Sequence, residues 1–221
     1  MVRRRVLHHP TPPDPFMLKA PSARVILGVD LGKRTTPTTI TVVEQALTPK
    51  TQDPVRLVWL PANPAPALVI RWIESLPLET SYAEVAASIW RIAGHSGARE
   101  IWMDGTGVGV AVEEIVRQSK PPRSTCVLRT VMITGGGQAC RTSVPRKELL
   151  TRLAVEWEQK RIKVAPGLLN WPSLRNELIA LDGDGYKQKG RDDLALGLAL
   201  AVWGFKGTGA PVGERGDPLL F

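Results

Sequence analysis

Cysteine is nearly absent from this chain: Cys126 and Cys140 are the two it has, and neither stands in a CxxC pair. That argues against a disulfide-stapled miniature fold or a cysteine zinc cluster and predicts free thiols in a reducing compartment. The three histidines, His8, His9 and His95, form no HxxxH or HExxH pattern. A histidine zinc site is therefore not expected, and any metal should be held by oxygen. Long apolar runs are missing too. The longest, Leu194 to Phe205, is interrupted by Gly197 and Gly204 and falls short of the ~20 residues that a bilayer span needs. The start "MVRRRVLHHPTPPDPFMLKAPSA" has prolines where a signal peptide would have its apolar stretch. The expectation is a soluble, cytoplasmic protein with no membrane partner. No GxxxxGK[ST] phosphate loop occurs either; "TGGGQACRTS" has the glycines without the lysine.

What is present is a globular balance, 43% apolar and 23% charged, over 221 residues. That length suits one substantial domain. We place it at 24–206, between a flexible basic tail at 1–23 and a flexible Gly- and Pro-rich tail at 207–221. The 29 Lys and Arg exceed the 21 Asp and Glu, for a formal charge of +8, which favours a polyanionic partner, nucleic acid first.

Apolar runs and turn signals give a strand at "RVILGVDLG" (24–32) and a second at "TTITVVEQ" (38–45), joined by "KRTTP" as a hairpin with one face to the core. "VRLVWL" (55–60) reads as an excursion at the sheet edge, and "ALVIRWIE" (67–74) as another strand. Ser81 and Glu84 have capping-box spacing at the head of a helix with Val85, Ile89 and Ile92 on one stripe and Gly94 as its stop. Strands at 99–104 and 124–134 flank a helix over 110–118. A helix follows over 144–160, with Pro145 in its first turn and Leu149, Leu153 and Trp157 in phase. "RIKVAP" is a short strand or extended link. "WPSLRNELIAL" is a helix with Leu174, Leu178 and Leu181 aligned; the polar loop "DGDGYKQKG" leads to the last helix, "LALGLALAVW". The mixture predicts an α/β fold.

Three acidic positions stand at the ends of buried elements: Asp30 after "ILGV", Asp104 after "EIWM", and the pair Asp192 and Asp193 before "LALGLALA". Buried carboxylates are costly without cations or donors, so their convergence would point to a hard divalent ion. Each also has a plainer reading as a turn or cap residue, since an Asp at a helix entrance bonds first-turn amides and suits the helix dipole. Capping does not explain why both residues of the pair are acids.

The stretches "VILGVDLGKRTTPTTITVVE", "LETSYAEVAASI", "EIWMDGTGVGVAVEEIV", "VPRKELLTRLAVEWEQKRIKVAP", "LRNELIAL" and "GRDDLALGLALAVW", in this order, resemble the nuclease domain of bacteriophage large terminase subunits. That family belongs to the RNase H-like superfamily with the RuvC-type Holliday-junction resolvases. The resemblance implies an RNase H-like α/β fold with a central mixed sheet of five or slightly more strands flanked by helices. It implies Asp30, Asp104 and Asp193 or Asp192 as catalytic metal ligands. Gly197, one turn on, favours Asp193 as the ligand and leaves Asp192 as the cap. The implied chemistry is endonucleolytic DNA hydrolysis with two divalent ions, Mg2+ or Mn2+. Lys33, Arg34, Arg141, Arg146, Lys147, Lys187, Lys189 and Arg191 are the candidates for holding the backbone of double-stranded DNA. A terminase ATPase domain, a small terminase subunit and a portal are the partners implied, in the host cytoplasm.

Competing expectations are a RuvC-type resolvase, a catalytically inactive DNA-binding RNase H-like module, and an actin-like or sugar-kinase-like ATPase. The last is suggested by "GVDLG" and by "DGTGVG", which resembles a second phosphate loop.

Overall fold

The apolar run that begins at Val25 becomes the middle strand of a seven-stranded sheet. The computed structural model describes residues 24–32, 35–46, 50–52, 59–61, 66–107, 109–140, 142–181 and 191–205. The strands β1 (Val25–Asp30), β2 (Thr39–Gln45), β3 (Lys50–Gln52), β4 (Trp59–Pro61) and β5 (Leu68–Ser75) come first. Then follow α1 (Tyr82–Ser96), β6 (Glu100–Asp104), α2 (Gly109–Gln118), β7 (Val127–Thr134), β8 (Ser143–Pro145), α3 (Arg146–Glu158), β9 (Ile162–Val164), α4 (Trp171–Ala180) and α5 (Asp193–Trp203). The main sheet has the order β8-β7-β6-β1-β2-β5-β9. β1 pairs antiparallel with β2 and parallel with β6, so the sheet is mixed. The five strands expected from pattern are its core, and the short β8 and β9 extend its edges.

The "VRLVWL" excursion is corrected in part. Trp59 and Leu60 belong to β4, which pairs with β3 in a separate two-stranded sheet and not at the edge of the main one; the rest of that stretch lies outside the described residues. So do the two expected tails and the polar loop at 182–190.

Both faces of the sheet are covered, which corrects the expectation of a hairpin with one core face. β2 is buried along Thr39–Glu44. On one face Leu27, Val29, Ile40 and Val42 pack with Val85, Ile89 and Ile92 of α1 and Val112 and Val116 of α2. On the other, Ile26, Val43 and Ile70 pack with α5, with Leu149 and Leu153 of α3 and with Leu174 of α4. α5 is apolar all round because it lies between the sheet and these two helices. Burying a large apolar side chain stabilises by ~1.5–3 kcal/mol, and Leu194, Leu196, Leu198, Leu200 and Val202 are all buried.

Local details follow the chemistry of the caps. The Ser81 and Glu84 capping box forms, but α1 runs through Gly94 and stops at Gly97, whose φ of 67° is the left-handed conformation glycine adopts without steric cost. α3 starts two residues later than expected, at Arg146, with Pro145 as its N-cap. Trp157 leaves the core stripe; it is exposed and stacks on Trp171 with ring centroids 6.0 Å apart. Its place in the interior goes to Leu150 and to Glu156, which is fully buried with Arg152 Nη2 at 2.7 Å and Arg161 Nε at 3.0 Å.

Candidate active site

Strand pleating decides which side chains look toward α5. Residues two apart share a face, so Ile26, Gly28 and Asp30 all face that helix. The register pairs Gly28 with Thr41 and Asp30 with Thr39 on β2, and Gly28 with Trp102 on β6. Asp104, two residues beyond Trp102, therefore ends its strand on the same face as Asp30. The two acids stand at the carboxyl ends of adjacent parallel strands, where open α/β sheets form their ligand crevices. Asp104 is held in place by the turn that follows it. The Thr106 N–H donates to Asp104 Oδ1 at 2.7 Å, and Thr106 Oγ1 accepts the Ile133 N–H at 2.6 Å. The turn at Thr106 and Gly107 thus bends back onto the acid that precedes it.

The entrance of α5 arrives over these strand ends because nothing larger than hydrogen separates helix and sheet at Gly28 and Gly197. A Cβ on Gly197 would lie 2.9 Å from Thr39 Oγ1. Thr39 Oγ1 itself donates to the Asp193 carbonyl oxygen at 2.8 Å. That bond satisfies the buried Thr39 hydroxyl, which meets the helix instead of solvent.

The pair at the helix entrance divides differently from expectation. Asp192 is the N-cap residue, yet its side chain makes no cap hydrogen bond; it is ion-paired with Arg146 at the head of α3. The capping role passes to Glu177 of α4, whose Oε2 accepts the Ala195 N–H at 3.0 Å. Sequence reasoning missed Glu177, and the available signal was an acid between the aligned Leu174 and Leu178. Asp193 lies in the first turn of α5 and is half-buried, as are Asp104 and Asp192.

Asp30 carries the electrostatic signature of the cluster. It is buried, at 8% exposure. Burial first, then the charges of Asp104, Asp193 and Asp192, push its pKa well above the ordinary 3.8, and Arg146 acts in the opposite sense. Four carboxylates thus sense one another around one arginine. Among the described residues no three His, Cys, Asp or Glu side chains stand close enough to form a metal cage as they are, and Asp192 is turned to Arg146. The donor set nonetheless fits a hard divalent ion: all ligands are oxygen, and the charge that raises Asp30 is the charge such an ion would neutralise.

Of the basic residues expected at DNA, Arg146 sits inside the cluster. Lys147 is exposed beside it, and Arg191, also exposed, donates to the Thr35 carbonyl at 3.0 Å. Lys33, Arg34, Arg141, Lys187 and Lys189 lie outside the described residues.

The fold has counterparts among solved structures. The large terminase nuclease of thermophilic phage G20c with bound cobalt superposes with a TM-score of 0.57 at 16% identity, over 83% of this chain and 82% of that one. The nuclease domain of the large terminase subunit of bacterial virus Sf6 gives 0.56 at 14%, over 85% and 91%. The fold is that of a large terminase nuclease domain. The manganese-soaked terminase nuclease domain of human cytomegalovirus shares it as well, with a TM-score of 0.52 at 14% identity over 85% and 86%. No protein-family model matches the chain and no curated protein matches it in sequence. In this chain Asp30, Asp104 and the entrance of α5 meet at one end of the mixed, helix-covered sheet. Among the described residues no helix is long and apolar enough to cross a membrane.

Proposed function

We propose that the chain is a divalent-metal-dependent endonuclease that hydrolyses phosphodiester bonds of double-stranded DNA, as the nuclease part of a viral genome-packaging terminase. The observation that carries this reading is Asp30, whose pKa is raised first by burial and then by three further carboxylates, Asp104 at the end of β6 and Asp193 and Asp192 at the entrance of α5. An isolated cap or turn residue would have no such neighbours.

Asp30, Asp104 and Asp193 would hold two ions, Mg2+ or Mn2+, with Asp192 available as a further oxygen ligand once Arg146 releases it. Ions there would lower the pKa of an attacking water and neutralise charge building on the phosphate and the leaving oxygen. The chain's own contribution is placement. β1 fixes Asp30 in a dry position, the Thr106 amide orients Asp104, and the Gly28–Gly197 contact sets the depth of Asp193. No Ser, Cys or His nucleophile is needed. Arg146, Lys147 and Arg191 would meet the DNA backbone, joined by Lys33, Arg34, Arg141, Lys187 and Lys189; such contacts position the duplex without reading its sequence. Cobalt and manganese in the neighbours support a divalent ion. The neighbours' description as terminase nuclease domains supports a terminase complex; an ATPase domain, a small subunit and a portal in the host cytoplasm would be the partners of such a part.

The test is incubation of supercoiled plasmid with the protein in manganese, magnesium or EDTA, beside single Asp→Asn variants at 30, 104, 192 and 193. Cleavage is expected in metal alone and lost at 30, 104 and 193. Cleavage in EDTA, or full activity of both the Asp30 and Asp104 variants, would overturn the proposal.

A further inference from the structure

The first turn of a helix leaves amide donors with no partner inside the helix. In α5 the N-cap side chain, Asp192, is committed to Arg146 and satisfies none of them. The Ala195 N–H is taken by Glu177 Oε2, 18 residues back along the chain, at 3.0 Å. Glu177 is half-buried and stands three residues after Leu174, on the same face of α4. Leu174 is fully buried against α5. The start of α4 is tied to the sheet by Asn170 Nδ2, which donates to the Ile73 carbonyl at 2.9 Å. The carboxylate of Glu177 is thus presented to α5 from a helix anchored to the sheet, and its negative charge suits the positive end of the α5 dipole. On the opposite side, Thr39 Oγ1 holds the Asp193 carbonyl. The turn that carries Asp193 is clamped between the two.

We propose that Glu177 is a positioning residue for the candidate active site: by capping α5 from α4 it fixes the bearing of Asp193 while the Asp192 carboxylate serves Arg146. This rests on the nuclease reading above. An N-cap aspartate that capped its own helix would have one carboxylate oxygen tied to the first-turn amides. Supplying the cap from another helix separates the two tasks. The bond needs an acceptor oxygen at the right reach rather than a charge, so glutamine can supply it, whereas alanine and the shorter aspartate cannot.

The experiment measures manganese binding to the full chain by titration calorimetry for wild type, E177A, E177D and E177Q, with melting temperatures in EDTA and the manganese dependence of plasmid cleavage alongside. Loss of an outer partner of a metal site typically weakens metal affinity by about 10- to 100-fold. E177A and E177D are expected to bind manganese roughly tenfold more weakly and to need correspondingly more of it for half-maximal cleavage, with the maximal rate largely kept at saturating metal. E177Q should recover most of the lost affinity. If E177A fails to fold, E177D, which keeps the charge and shortens the reach, carries the test. Manganese affinity unchanged in E177A and E177D, whatever the melting temperatures do, overturns the proposal, and so does a loss in E177Q as large as in E177A. A wild type that binds no manganese and cleaves no DNA removes the nuclease reading and this inference with it; a wild type that does both beside unaffected variants removes this inference alone.

Discussion

Gly28 on β1 and Gly197 on α5 meet backbone to backbone: a Cβ on Gly28 would stand 1.9 Å from the Gly197 carbonyl oxygen and 2.5 Å from the Ala201 amide nitrogen. Neither atom can turn aside as a side chain could, so a methyl group at 28 must push helix and strand apart. Overpacking commonly costs about 1–3 kcal/mol, occasionally more, and Gly28→Ala should reach at least ~3 kcal/mol in urea unfolding. Because Asp30 and Asp193 flank this contact, cleavage should fall with it. At Gly197 the added methyl meets Thr39 Oγ1 at 2.9 Å and Thr41 Oγ1 at 3.3 Å, hydroxyls that can shift. Alanine there also gains about 1 kcal/mol of helix propensity, so Gly197→Ala should be much the milder change. Equal stability of Gly28→Ala and wild type would contradict the packing.

Arg146 is predicted to matter most when no metal is present. Its ion pair with Asp192 is largely shielded, the two side chains being 23% and 17% exposed. Removing one partner of a shielded pair leaves the other charge uncompensated, at roughly 3 kcal/mol or more. Asp192 would then join Asp30, Asp104 and Asp193 with no arginine among them. Arg146→Ala should therefore melt well below wild type in EDTA, and excess manganese should close most of that gap. A gap that stays constant across the metal titration would show that Arg146 and the ion do not share the same carboxylates.

These two contacts show which parts of the molecule were readable in sequence. The core strands were legible because β1, β2, β5, β6 and β7 are long apolar runs with turn residues at their ends. Asp30 and Asp104 were legible as acids placed where apolar strands stop. β8 was not, since three residues carry too little pattern, and β9 was read only as a short strand or extended link. The capping role expected of Asp192 was misjudged for a tertiary reason: capping rules describe a helix by its own neighbours, whereas here α3 supplies the cation and α4 the cap. Glu156 was hidden likewise. An acid on an apolar stripe reads as solvent-facing unless Arg152 and Arg161 are known to close over it.

The two thiols should differ sharply in reactivity. Cys126 and Cys140 are both free. Burial, chiefly, pushes the Cys126 thiol up to about 11. The exposed Cys140 sulfur lies 3.1 Å from Ser143 Oγ and 3.7 Å from Thr142 Oγ1, and these hydroxyls with the neighbouring amides bring its pKa down to about 7. Thiolate is the attacking species. At pH 8 iodoacetamide should label Cys140 in the native protein and leave Cys126 untouched until denaturant is added, with the labelling rate half-maximal near pH 7. Replacing Ser143 by alanine should move that midpoint upward; mass spectrometry of peptides labelled across a pH series reads both.

The sharpest separation of activity from stability is expected at Asp30. A carboxyl group whose folded pKa is raised stabilises the fold while it is protonated, and that contribution is lost as pH rises through the folded value. For Asp30 the folded value lies well above 3.8, so the loss sets in above the ordinary carboxylate range. Without metal, wild type should become progressively less stable there as the buried charge forms beside three others. Asp30→Asn carries no charge at any pH and keeps a similar shape. It should melt above wild type at neutral pH in EDTA, with the two converging as the pH falls toward 3.8 and Asp30 takes up its proton. Manganese should then raise the melting temperature of wild type and leave the variant nearly unmoved, while plasmid cleavage survives only in wild type. Repulsion among the carboxylates is what the ion relieves, so the residue that costs the metal-free protein most is the one the metal should need most. An Asp30→Asn variant less stable than wild type at neutral pH in EDTA, with no dependence of the difference on pH, would show that Asp30 is satisfied as it stands and that the cluster holds no reserve of charge for a cation.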